Sequence, residues 1–117
     1  MITSVGSNNQ VDLFDNSSAT IHDQPTGSGL FLELNGITPA DTYTGKVTVT
    51  GFQNDLLNGR IDFDNVKGAN GALLDGNLLN VIHNTTSDGH GGDVIHLAGG
   101  GSLDLTNSLG YTTHTFV

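Results

Sequence analysis

Residues 75–105 read DGNLLNVIHNTTSDGHGGDVIHLAGGGSLDL, and one nine-residue phrase occurs twice within them. Asp75-Gly-Asn-Leu-Leu-Asn-Val-Ile-His83 is answered thirteen residues later by Asp88-Gly-His-Gly-Gly-Asp-Val-Ile-His96. Asp, Gly, Val, Ile and His are identical in the two copies. In each, an Asp-Gly turn signal precedes a β-branched pair, so each copy reads as a turn followed by a strand. The same grammar of short strands punctuated by Gly, Asn and Asp extends over the rest of the chain.

Upstream, Lys46-Val-Thr-Val-Thr50 alternates, with Val47 and Val49 on one face and Thr48 and Thr50 on the other. Arg60-Ile-Asp-Phe-Asp64 repeats the pattern, Ile61 and Phe63 inward, Asp62 and Asp64 outward. Leu30–Leu34 is the most apolar strand candidate, closed by Asn35-Gly36, a tight-turn pair. Strands are also expected at Ile2–Val5, Val11–Phe14, Ala19–His22, Ser102–Leu105 and in the tail Tyr111–Val117. Residues 51–59 read as a wide turn folding Phe52, Leu56 and Leu57 back onto the core. No window sustains a helical i, i+3, i+4, i+7 pattern over three turns. The expectation is one all-β domain, residues 1–117, built as a compact sandwich or short β-roll-like sandwich. A regular β-solenoid is the alternative, and it wants at least three similar repeats where one pair is visible. In a roll, the thirteen-residue period would set Val81 over Val94 and His83 over His96.

Composition narrows the function classes. The 117 residues are 35% hydrophobic with 17 Gly, which implies a thin core better suited to sheets than to a helix bundle. Twelve acids stand against Lys46, Arg60 and Lys67, a formal net charge of −9. This balance counts against duplex nucleic acid and anionic membrane as partners, because binding them needs clustered Lys and Arg. The chain has no Cys and hence no disulfide or thiolate chemistry. Its first residues lack the basic and apolar regions of a signal peptide, and no apolar run reaches the length of a membrane span.

Two groups of residues could hold metal. Asp88–His96 fits the nonapeptide G-G-x-G-x-D-x-U-x at Gly89, Gly91, Asp93 and Ile95, with Asp88 in place of the first Gly. Glycines let carbonyls turn toward a hard cation while Asp supplies charge, so Asp88 and Asp93 are the calcium candidates. One such turn supplies half a site, and the earlier copy has Leu78 and Asn80 where Gly and Asp are needed. The second group is His83, His90 and His96, a transition-metal set for zinc or copper resting on the shared register of the repeat. Ser87, Asp88 and His90 are neighbours on one turn with no strand-to-helix elbow to present the Ser, and so do not read as a catalytic triad.

The segment from about Val47 to the C-terminus resembles the terminal modules of secreted bacterial RTX-type and β-strand-repeat proteins. The residues that carry the likeness are Thr50-Gly-Phe52, Gly59-Arg-Ile-Asp-Phe63 and Ser87-Asp-Gly-His-Gly-Gly92. The resemblance implies type I export on an uncleaved C-terminal signal, to which Tyr111-Thr-Thr-His-Thr-Phe-Val117 is similar, and an extracellular or cell-surface location. Together these features point to a non-enzymatic structural or adhesive module. It would self-associate through strand edges into a surface layer, matrix or filament, as a homo-oligomer and with calcium as an assisting ion. Two alternatives come from other classes. One is a carbohydrate-binding module taking a glycan, disfavoured by the absence of Trp; the other is a small His/Asp metal-binding domain.

Overall fold

A computed structural model describes residues 2–4, 9–23, 29–37, 42–51, 59–106 and 116. Its strands are β1 (Ile2–Ser4), β2 (Gln10–Phe14), β3 (Ala19–Asp23), β4 (Phe31–Asn35), β5 (Lys46–Thr50), β6 (Arg60–Asp64), β7 (Thr85–Ser87), β8 (Asp93–His96) and β9 (Ser102–Thr106). One short helix, α1 (Leu78–His83), precedes β7. The strands form two sheets, a six-stranded one in the order β1-β3-β5-β9-β8-β7 and a three-stranded one in the order β2-β4-β6. The chain is an all-β, roll-like sandwich.

From β1 to β6 consecutive strands alternate between the two sheets, and within each sheet neighbours run parallel. Each pair of strands is therefore one layer laid on the previous one. Pairing sets like on like. In the small sheet, Val11, Leu32 and Ile61 form one inward row and Leu13, Leu34 and Phe63 the next. In the large sheet the inward rows are Ala19, Val47, Leu103 and Ile95, and Ile21, Val49 and Leu105. These rows face each other as a single core in which all but Val11, Leu13 and Ala19 are buried. Each fully buried aliphatic or aromatic side chain contributes about 1.5–3 kcal/mol. Phe116 extends the small sheet through a parallel bridge to Ile61, and its ring stacks on Phe63 at 6.0 Å between centroids.

The described corners between the sheets are tight. Tyr43 is wholly buried at one of them, and its hydroxyl donates to the Ser17 carbonyl at 2.8 Å. Burial first, and then the charge of Asp15, push the Tyr43 phenol up to about 12, so it stays a neutral donor. Gly45 follows because a Cβ there would collide with the Ser17 carbonyl oxygen and press on the Tyr43 ring.

Between β6 and β7 the chain leaves the layers. The buried Asn84 organises this excursion: its Nδ2 donates to Asn70 Oδ1 and the Asn80 carbonyl, and its Oδ1 accepts from Asn70 N. The Asp75 carboxylate accepts from the amides of Asn65 and Val66. The chain then returns through β7 and β8, which add to β9 in antiparallel fashion, while β9 joins β5 in parallel.

Two local expectations are corrected. The first copy of the repeated phrase is a helix, not a strand. Asn77 caps it by accepting from Asn80 N at 3.0 Å, and Leu78 and Val81 turn inward one helical turn apart. In the second copy His90 replaces the cap and Gly91-Gly92 replaces Leu78-Leu79, so no helix starts and β8 forms. His83 and His96 consequently do not share a strand register. Nor does Asn35-Gly36 form the expected tight turn: Gly36 N donates to the Asp64 carbonyl, continuing the parallel ladder. Glycine is required there because a Cβ would strike the Asn65 carbonyl oxygen. The expected turn residues Phe52, Leu56 and Leu57, and the tail other than Phe116, lie outside the described residues.

Because the corner at Gly45 has no room for one more carbon, Gly45→Ala should destabilise the protein by about 1–3 kcal/mol. Urea denaturation checks this, and an unchanged midpoint would show that the corner yields.

Candidate functional site

The sequence candidates gather around the hairpin of β7 and β8. Its turn, residues 88–92, is closed by Asp88 itself. One carboxylate oxygen, Oδ1, accepts from His90 N at 2.7 Å and from Gly92 N at 2.9 Å, and Asp88 N donates to the Gly92 carbonyl. Gly89 and Gly91 take φ of 78° and 81°, the left-handed conformation this chain path requires. The two amide hydrogen bonds, from His90 and then Gly92, hold the Asp88 carboxyl below its usual range. Ser87 Oγ accepts from Gly89 N at 3.1 Å. Ser87 and Asp88 thus both act as turn caps, and the bond between Asp88 and His90 runs through the His90 backbone amide.

Asp93 stands apart from Asp88's carboxylate arrangement. It begins β8, half-buried, opposite Leu105 on one side and Ser87 on the other. The histidines are spread over three elements. His83 is exposed at the end of α1, and His90 is exposed in the turn. His96 is exposed on β8, sharing a 2.8 Å hydrogen bond between its Nε2 and Thr86 Oγ1. Among the described residues, no group of three or more His, Asp or Glu side chains is placed to hold a metal ion.

Two features emerge that local sequence reading misses. The first is the outer face of the large sheet. Register there aligns Thr20, Thr48, Asp104, Val94 and Thr86 in one row and His22, Thr50 and Thr106 in the next. His22 Nδ1 and Thr50 Oγ1 share a 2.6 Å hydrogen bond. Asp104 is the odd member: its Oδ1 is buried with no hydrogen-bond partner. Burial, and then the nearby charge of Asp88, raise its carboxyl above the usual range. The second feature is on the outer face of the small sheet, where Asp12, Glu33 and Asp62 stand in one row. Burial chiefly, and then Asp12 and Asp62, raise Glu33; burial, Asp64 and Asp75 raise Asp62. Alternation within β6 puts Asp62 on that face, but its neighbours come from strands distant in sequence and appear only with the register.

The chain matches no protein-family description, no curated protein and no solved structure.

The two perturbed carboxyls beside the hairpin titrate with opposite consequences. Asp88, held below its usual range, stabilises the turn above the ordinary carboxyl range, and that contribution is lost as pH falls through its depressed value. Asp104, held above its usual range, contributes stability below the ordinary range that is lost as pH rises through its raised value. Replacing Asp104 by Asn should therefore raise the melting temperature at neutral pH and reduce the gain on acidification. A melting temperature that falls at both pH values would contradict this.

Proposed function

We propose that the chain is a non-enzymatic structural module of the cell exterior that associates with copies of itself through strand edges, forming a layer, matrix or filament with calcium as an assisting ion. The observation that carries this reading is the end of the sandwich where, among the described residues, two strands have no neighbour on their outer side. The strands β1 and β2 belong to the same layer, and each is the edge of its sheet. Phe31 N donates to the Asn9 carbonyl and Asp15 N to the Asn35 carbonyl, bracketing the pairing of β2 with β4. Parallel alternation then turns the amides of Gln10, Asp12 and Phe14 away from β4, toward the open side. Beneath them Val11 and Leu13 are only partly buried, while Leu32 and Leu34 on β4 are wholly buried. An edge of this kind is a template for another strand.

The glycan alternative draws less support. Among the described aromatic residues Tyr43, Phe63 and Phe116 are buried and Phe31 is half-buried, leaving Phe14 exposed. Among the described residues that is one exposed ring, a poor platform for a sugar chain.

Association should appear in light scattering and negative-stain microscopy as the protein is concentrated, with separate samples in calcium and in chelator. Asp12→Pro, which removes an outward amide at the middle of β2, should hold the protein monomeric. Asp12→Asn, which makes the same change in charge but keeps the amide, should associate. A wild-type protein that stays monomeric in both calcium and chelator would overturn the proposal.

A further inference from the structure

The three-stranded sheet is held together against its own charge. Its outward middle row is Asp12, Glu33 and Asp62, each directly opposite the next in register. Adjacent strands lie about 4.8 Å apart, and like charges facing each other at that separation destabilise a sheet. Glu33 suffers most, with an acid on each side. The groups around it come from both flanking strands. From β2 they are Asp12, with Asp15 just past the strand end; from β6 they are Asp62, Asp64 and Arg60; and Asp75 lies beyond β6, against Asp62. Arg60 stands in the neighbouring row with Gln10 and Phe31, and its guanidinium donates to the Gly59 carbonyl at 2.7 Å. Asp12 accepts from the neutral Gln10 Nε2 at 2.9 Å. The inner face of the sheet offers no charged group: its rows are apolar.

The cost of this repulsion falls unequally. β4 is paired on both sides and buries Leu32 and Leu34, and β6 buries Ile61 and Phe63. β2 is paired on one side, and its inward residues Val11 and Leu13 are half-exposed. It is tied down at its C-terminal end, where Asp15 N donates to the Asn35 carbonyl, Asn35 Nδ2 to the Leu13 carbonyl and Ile37 N to Asp15 Oδ1. At its other end Phe31 N donates to the Asn9 carbonyl.

We propose that β2 is a pH-gated strand, docked firmly on β4 when Glu33 is protonated and donates to the Asp12 carboxylate, and loosened from β4 when Glu33 is ionised. Protonation of Glu33 removes one charge and lets its carboxyl donate to Asp12, turning a repulsive contact of the row into a hydrogen bond. Glu33 binds its proton more tightly in the folded chain than in an ordinary carboxyl, through burial and then the charges of Asp12 and Asp62. A group shifted in this direction stabilises the fold below the ordinary carboxyl range, and the contribution is lost as pH rises through the raised value. The gate thus closes on acidification and opens toward neutral pH. It is a property of the single chain and does not depend on association between copies.

Hydrogen exchange of a dilute, monomeric sample tests it, with rates corrected for the intrinsic pH dependence of exchange. Protection of the β2 amides Val11 and Leu13 should rise about two- to fivefold as the pH falls from roughly 7 to roughly 4, the scale of one like-charge pair relieved. The β5 amides Val47 and Val49 should show no such change relative to global stability. Glu33→Gln should raise β2 protection at neutral pH and flatten its pH dependence. Wild-type protection that does not vary with pH would overturn the gate, and so would a Glu33→Gln protein that keeps the wild-type profile. Should Glu33→Gln not fold, wild-type protein in about 1 M salt gives the same test, because screening of the row should raise neutral-pH protection of β2.

Discussion

In-register parallel pairing governs this molecule. When successive layers are stacked without stagger, each residue meets its counterpart in the next layer, and the chemistry of one position is multiplied along a row. Apolar positions gain from this: Leu34 meets Leu13 and Phe63, and Val49 meets Ile21 and Leu105. The same rule applied to the outward positions yields a hydroxyl-bearing row on one sheet and an acidic row on the other. The core and the strained surface therefore share one cause. The register that buries Leu34 between Leu13 and Phe63 also sets Glu33 between Asp12 and Asp62, and slipping a strand by one residue to separate the acids would turn its leucines to water.

Corners supply the second half of the design. Moving the chain from one sheet to the other at each layer brings backbone against backbone, as where Gly45 passes the Ser17 carbonyl beneath the Tyr43 ring. Here the low apolar content of the chain finds its explanation. Much of the Gly serves close approach and left-handed turns, and the core needs only short, strictly alternating strands to fill it.

Most of the strands were legible because alternation and turn residues are local signals. Lys46–Thr50 and Arg60–Asp64 show which residues point inward from sequence alone, and the structure agrees. What local reading could not supply was the partner of each strand. Asn35-Gly36 reads as a tight turn, yet Gly36 stays in the ladder with Asp64 as its partner. The repeated phrase shows a second limit. Val-Ile-His ends a helix in one copy and a strand in the other; Val81 is the buried residue of the first, Ile95 of the second. The difference lies in the preceding residues, Asn77-Leu-Leu against His90-Gly-Gly, and not in the β-branched pair. Of the candidate site, the turn at Asp88 was legible and the acidic row was not. Asp12, Glu33 and Asp62 are far apart in the chain and meet only through register.

The long excursion between β6 and β9 bears on how the chain folds. The layers built from β1 to β6 close over modest sequence separations, whereas β9 must find β5 after the whole segment carrying α1, β7 and β8 has been made, pairing Val49 with Leu105. Contacts this distant cost loop entropy before they return any burial, and they are the kind that slow folding. The excursion offsets part of that cost by being locally knit, through Asn84 with Asn70 and Asp75 with Asn65, so the loop to be closed is shorter in effect than in sequence. Among the described strand pairs, β5 with β9 spans the longest stretch of chain, so the centre of the large sheet carries the largest loop-closure cost in the fold.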